Sequence, residues 1–332
     1  MTDVSVLGAG SWGTALADLL ARKGLTTRLW AFEPEVAQAI NSEHHNPIFF
    51  PGATLDPRLI ASSDLAAVVR GAAVVCSVVP SHVSRAVLSQ ASPHVVAGTR
   101  LVCATKGIET ESLALMCDVA AAVLPQATFV ALSGPSFANE VFSGQPTAVV
   151  AASAAAAASA DVQQLFSTSY FRVYTSADVV GVELGGSLKN IIAIAAGVLE
   201  GLGMGSNPRA ALLTRGLAEI SRLGVAMGAH LDTFSGLAGM GDLILTCTGA
   251  QSRNRQLGLL LAGGTTLVEY RATHRTVAEG VNTALAASRL AEVHGVDMPI
   301  TRQVAAILFD GASPRESIQQ LMGRTLKAER WG

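Results

Sequence analysis

The stretch that decides the fold is Asp3-Val4-Ser5-Val6-Leu7-Gly8-Ala9-Gly10-Ser11-Trp12-Gly13-Thr14-Ala15-Leu16. A short apolar run stops at a glycine, and a helical pattern begins three residues later. Gly8, Gly10 and Gly13 form G-x-G-x-x-G at that junction. The first glycine of such a junction makes the tight turn. The second lets backbone approach a pyrophosphate, and the third lets the helix pack closely on the strand. The helix start adds unpaired N–H groups and the positive end of its dipole. Strand, turn and helix agree here, so the segment reads as a dinucleotide cradle. The glycines alone would equally serve a turn that merely packs a helix.

Outward from this point the pattern repeats. Apolar runs at 3–8, 26–32, 73–78, 100–104, 128–132, 147–152 and 171–174 alternate with helical periodicity at 11–23, 35–40, 81–90, 111–123 and 155–166. Near-continuous Val/Ile/Leu runs belong to strands buried on both faces, and their alternation with helices predicts βαβ units. From residue 178 the pattern is helical: 179–201, 208–227, 235–246, 253–261, 277–294, 301–309 and 314–321. The expected architecture is an α/β N-terminal Rossmann domain with a mostly parallel, doubly wound sheet over residues 1–178. An all-α C-terminal domain over residues 179–332 follows and carries substrate-binding and catalytic groups.

Composition narrows the function. Of 332 residues, 50% are hydrophobic and 14% charged, which excludes intrinsic disorder. The 23 basic and 25 acidic residues leave a net charge of −2, so no basic field exists for nucleic acid. The apolar run 147–160 is mostly Ala and Ser and stops at Asp161, so no membrane span is expected. No basic stretch precedes the first strand, which argues against a signal peptide and for the cytoplasm. Cys76, Cys103, Cys117 and Cys247 show no metal-ligand spacing, and neither do the seven histidines. No metal is expected, and Cys76 and Cys103 read as core thiols.

Several polar residues stand out. Glu33 lies 20 positions beyond Gly13, where an acidic side chain bonds a ribose 2′-hydroxyl and repels a 2′-phosphate. Phe32 beside it can stack on adenine, and the run Trp30–Pro34 holds no Arg or Lys. NAD is therefore favoured over NADP, unless Glu33 is only a solvated strand-end charge. Lys189 and Asn190 interrupt the apolar run Leu184–Gly197. A buried lysine loses charge stability and moves toward the range useful for proton transfer; the competing reading is a lysine that snorkels to water. Gly185 and Gly186, one turn earlier, suggest a thin helix face that a ring or substrate can approach. Asp242, in Gly239-Met240-Gly241-Asp242-Leu243, either pairs with Lys189 or caps a helix. Ser252-Arg253-Asn254 opens a helix and offers hydroxyl, guanidinium and amide groups to a phosphate, or is an ordinary solvated helix start. Lys106 follows the fourth strand, and Ser133-Gly134-Pro135-Ser136-Phe137-Ala138 follows the fifth; both reach the carboxyl edge where doubly wound sheets bind ligands.

Together these segments, with Ala278-Glu279-Gly280, resemble the NAD(P)-dependent glycerol-3-phosphate dehydrogenase family, in order and over nearly the whole chain. The resemblance implies that Gly8, Gly10, Ser11, Trp12 and Gly13 lie against the cofactor, with Phe32, Glu33, Lys106, Ala138, Arg253, Val277 and Glu279. It implies that Lys106, Gly134, Ser136, Asp242, Ser252, Arg253 and Asn254 contact the phosphorylated substrate, and that Lys189 is the proton acceptor. It also implies a homodimer and a role in glycerophospholipid precursor supply. Many bacterial members carry a basic residue near position 32 or 33, where this chain has Phe32-Glu33. The alternatives are a β-hydroxyacid dehydrogenase-like oxidoreductase and a dinucleotide-sensing regulator without turnover.

Overall fold

Val4, Val6 and Leu7 are fully buried, and so is Ser5 between them, as a strand covered on both faces requires. The alternation is visible in the packing. Val4, Val6, Cys76 and Val102 join one core with Leu16 and Leu20, while Leu7, Val75 and Leu101 join another with Leu88. In the computed structural model, which describes residues 3–274, 278–326 and 328–329, these residues lie in one sheet. Among the described residues its strands are β1 (Asp3–Leu7), β2 (Thr26–Trp30), β3 (Ile60–Ser62), β4 (Val74–Ser77), β5 (Arg100–Cys103), β6 (Thr128–Ser133), β7 (Thr147–Ala152) and β8 (Phe171–Ser176). Their spatial order is β3-β2-β1-β4-β5-β6-β7-β8. Every pairing is parallel except β6 with β7, so β7 and β8 run against the rest. The strand order reverses between β1 and β4, and the carboxyl ends of those strands flank the crevice where such sheets bind ligands.

Helices α1 (Ser11–Arg22), α2 (Pro34–Glu43), α3 (Leu65–Val69), α4 (Ser81–Ala91), α5 (Met116–Val123), α6 (Ala138–Phe142) and α7 (Ala156–Phe166) accompany the sheet. The helical part follows as α8 (Val179–Gly201), α9 (Ser206–Ala226), α10 (Asp242–Thr248), α11 (Arg253–Ala262), α12 (Leu267–Thr273), α13 (Gly280–Val293), α14 (Pro299–Phe309) and α15 (Pro314–Met322). The expected α/β half followed by a helical half is what forms. The differences are local. β3, α3, α6 and α12 have 3 to 7 residues, too short to show a hydrophobic period. The helix expected over 111–123 begins only at Met116, because residues 107–115 form a turn in which Leu113 is left-handed (φ 62°) and the Glu109 N–H donates to the Ala114 carbonyl at 3.0 Å. The helix expected over 235–246 is a 3₁₀ turn (Leu231–Ser235), a π-type turn (Leu237–Gly241) and then α10.

Among the described residues, the helix long and apolar enough to cross a membrane is α8, mean hydropathy 1.5 over its best window, rather than 147–160. Those residues are divided between β7 and the start of α7. α8 is a core helix, packed against α9, α10, α11, α13 and α14. It begins with the Asp178 carboxylate accepting the Gly181 N–H at 2.8 Å, which caps its first turn. Glu183, on its second turn, faces the start of α5 and accepts the Cys117 N–H at 3.2 Å. Burial lifts this carboxyl from its ordinary value to about 7, against the lowering effect of its bonds to Cys117. The folded state therefore binds the Glu183 proton more tightly than the unfolded chain does. That stabilisation is complete below about 4.5 and fades as pH rises through about 7. Glu183→Gln should flatten the decline of unfolding free energy between about pH 4.5 and 7 in urea titrations. An unchanged slope would show that Glu183 does not carry the effect.

Candidate active site

Gly8 holds φ +109°, a conformation that side chains avoid, and turns the chain from β1 toward α1. A Cβ on Gly13 would stand 1.9 Å from the Gly8 carbonyl oxygen, so only glycine lets α1 close on the turn. At Gly10 a Cβ would meet nothing within 4 Å, which leaves the backbone open to an approaching ligand. The first-turn N–H groups of α1 have no intrahelical acceptors. The donor set and the open backbone at Gly10 fit the diphosphate of a dinucleotide. Ser11 turns its hydroxyl to the Phe49 carbonyl at 2.5 Å, so its free donor is the backbone N–H. Trp12 is half-buried against Phe171. At the end of β2, Phe32 is 76% exposed and Glu33 is half-buried at the N-cap of α2.

In the helical part, Lys189 projects from α8 and is only 5% exposed, so it does not snorkel. Its Nζ donates to Asp242 Oδ1 at 2.5 Å and to Thr246 Oγ1 at 2.7 Å. Lys106, from the turn after β5, donates to the other oxygen of the same carboxylate at 2.7 Å and to the Gly134 carbonyl at 2.9 Å. Asp242 opens α10 with helical dihedrals, and the cap position falls to Gly241. Its carboxylate is thus shared by two amines and caps no helix. Desolvation lowers the Lys189 amine to about 8; the Asp242 charge opposes this, and the Lys106 charge adds to the lowering.

The remaining candidates make contacts of their own. Ser136 donates to the Gly134 carbonyl at 3.1 Å, and Ala138 begins α6. Asn254, buried in α11, donates to Asn190 Oδ1 at 3.0 Å and accepts the Gly280 N–H at 2.9 Å. Ser252 caps α11 by accepting the Arg255 N–H at 3.2 Å, while Arg253 beside it is exposed. Glu279 accepts from the Ser81 hydroxyl at 2.8 Å, joining the helical part to α4 at the strand reversal. Val277 lies outside the described residues.

One expectation is corrected. The thin face at Gly185 and Gly186 is filled by protein: Cβ atoms there would stand 2.5 Å from the Ala238 carbonyl and 2.4 Å from the Ser133 hydroxyl. The glycines let α8 press against its neighbours and leave no room for a ligand. Two site residues carry little sequence signal. Thr246 is detectable only as a hydroxyl one helical turn after Asp242. Ser81 is an ordinary serine at a helix start, visible only once the strand order is known.

The sequence profile for the N-terminus of NAD-dependent glycerol-3-phosphate dehydrogenase matches residues 3–159, and that for its C-terminus matches residues 178–319. The chain belongs to this family. A glycerol-3-phosphate dehydrogenase [NAD(P)+] of Geobacter metallireducens is 54% identical over 330 residues, 98% of each chain. One from Citrifermentans bemidjiense is 52% identical over 329 residues, again 98% of each. A crystal structure of glycerol-3-phosphate dehydrogenase from Coxiella burnetii superposes with a TM-score of 0.94 at 41% identity, over 97% of this chain and 99% of that one. Membership extends over both halves of the crevice.

The shared carboxylate makes a direct prediction. Asp242→Asn removes the charge that raises Lys189, so the midpoint of its amine should fall below about 8 in a side-chain NMR titration. A midpoint that stayed or rose would mean that Asp242 is not its controlling partner.

Proposed function

We propose that this chain is a glycerol-3-phosphate dehydrogenase, reversibly reducing dihydroxyacetone phosphate to sn-glycerol 3-phosphate with a nicotinamide dinucleotide. Membership of the family over its full length supports this, and the observation in the fold that carries it is the buried amine of Lys189 beside Asp242 and Lys106. A β-hydroxyacid dehydrogenase-like activity is not favoured, since both family profiles match. A regulator without turnover needs no such amine.

The dinucleotide supplies the hydride when bound. The protein's contribution is charge, position and a proton. An ammonium has three donors, and Lys189 directs two of them to Asp242 and Thr246. The third remains for the substrate oxygen at C2. When the amine is neutral, its two N–H bonds satisfy the same two acceptors and its lone pair takes that third direction. The amine can therefore accept the hydroxyl proton in oxidation and return it in reduction without rearrangement. In the ammonium form its charge also stabilises developing alkoxide. Two ammonium groups and one carboxylate leave the triad a net positive charge, which suits a phosphorylated ketone.

Lys106, Gly134, Ser136, Ser252, Arg253 and Asn254 are assigned to the substrate, with Arg253 and the α11 start against its phosphate. Ser252 and Asn254 act partly through the cap and the Asn190 bond that fix this helix start. Ser11, Trp12, Phe32, Glu33, Lys106, Ala138, Arg253, Val277 and Glu279 are assigned to the dinucleotide, with Gly8, Gly10 and Gly13 shaping its turn. The acidic Glu33 and the lack of a cation from Trp30 to Pro34 support NAD over NADP. We assign the dinucleotide-binding unit to residues 1–178 and the helical unit to 179–332, and infer a cytoplasmic homodimer that supplies the glycerophospholipid precursor.

Lys189→Ala should lower kcat about 10²–10⁴-fold while NADH affinity is kept. Near-normal turnover would remove its proton-transfer role. In the wild type, oxidation should rise with pH through about 8 and reduction should fall, as the amine loses its proton. For the cofactor, kcat/KM should favour NAD(H), and Glu33→Arg should shift the ratio toward NADP(H) by about tenfold. A wild-type preference for NADPH would overturn that assignment.

A further inference from the structure

The segment between α2 and β3 carries no recognised motif, yet it grips the glycine turn. Asn46 is fully buried. Its Nδ2 donates to the Ala9 carbonyl at 2.7 Å and to the Thr14 hydroxyl at 2.9 Å. Thr14 Oγ1 donates to the same carbonyl at 3.1 Å, which fills both acceptor sites of that oxygen. On its other side, Asn46 Oδ1 accepts the Phe49 N–H at 3.0 Å. The Phe50 N–H closes the turn onto the Asn46 carbonyl at 3.2 Å. Phe49 in turn accepts the Ser11 hydroxyl at 2.5 Å. The turn 46–50 therefore holds the cradle at Ala9 and again at Ser11.

This grip fixes a peptide plane. A trans peptide directs its C=O and N–H to opposite sides. With the Ala9 carbonyl turned toward Asn46 and Thr14, the Gly10 N–H must point away from them. Gly10 is also the residue whose missing side chain leaves the backbone open. Were the peptide free to flip, it would present a carbonyl oxygen to an anion in place of a donor.

We propose that Asn46, with Thr14, is a positioning residue for dinucleotide binding: it locks the Ala9–Gly10 peptide with its N–H toward the diphosphate. The proposal rests on the reading of residues 8–13 as a dinucleotide cradle. Asn46 touches no reacting atom. Its effect must fall on ligands that carry the diphosphate, whether or not they carry the nicotinamide.

The test measures binding of NADH and of ADP-ribose to the wild type, Asn46→Ala and Thr14→Val, with melting curves for each. Both ligands should weaken about tenfold in Asn46→Ala and about threefold in Thr14→Val, the range expected when buried bonds to one peptide are lost. KM for the dinucleotide should rise in step. At saturating dinucleotide, kcat and KM for dihydroxyacetone phosphate should stay within about twofold. A folded variant that binds NADH and ADP-ribose as the wild type does would overturn the proposal, as would an equal rise in KM for dihydroxyacetone phosphate. If Asn46→Ala does not fold, Thr14→Val decides by the same criteria. A wild-type chain that bound neither ligand would instead remove the cradle reading, and the proposal with it.

Discussion

One carboxylate holds the two halves of the crevice together. Asp242 takes Lys106 from the sheet edge on one oxygen and Lys189 from α8 on the other. Asp242 is 1% exposed and Lys189 5% exposed, so these are charges removed from water. Such a group is tolerated only when each charge is paired and its remaining bonds are made, and losing one partner costs more than the pair contributes. Here the bonds continue outward through Thr246 and through Gly134. An amine held this firmly is positioned in both protonation states. The cost of burying it is also what brings it near neutrality.

The surrounding helices serve that arrangement. α8 carries Glu183 near its start and the adjacent Lys189 and Asn190 further along, pointing in different directions around the helix, so it reaches the start of α5, the triad and α11 at once. Asn254 extends the same line to the Gly280 N–H at the start of α13. Glu279, next to it, returns to Ser81 at the strand reversal. A displacement of α8 would therefore disturb the triad and, through Asn254, the segment that carries the Glu279–Ser81 contact together.

Much of this was legible in the sequence because it depends on long-period signals. The buried strands announce themselves as Val/Ile/Leu runs, and α8 as the apolar stretch Leu184–Gly197 in which Lys189 and Asn190 stand out. Lys189, Asp242 and Lys106 stood out as charges in apolar or strand-end positions. The pairing of Asp242 with Lys189 was one of two open readings, but that Lys106 shares the same carboxylate was not visible, because it joins segments far apart in the chain. The short β3, α3 and α6 were illegible because a few residues cannot display a period. Gly185 and Gly186 misled for a related reason. A missing side chain signals close approach but does not say whether backbone or ligand approaches. Ser81, Thr246 and Asn46 are common residue types whose importance comes from their partners.

The order of elements has a consequence for biogenesis. The partners that cover α8 within the helical part, α9, α10, α11, α13 and α14, all lie downstream of it in the chain. A ribosome therefore releases a segment with the greasiness of a bilayer helix before most of its shelter has been made. Exposed apolar surface of that kind is what makes incomplete chains prone to aggregate, and a lysine in the middle of the stretch makes a lipid environment less favourable for it. The buried charge that Asp242 pairs in the folded chain is thus also a mark that sets α8 apart from a lipid-spanning helix of the same length.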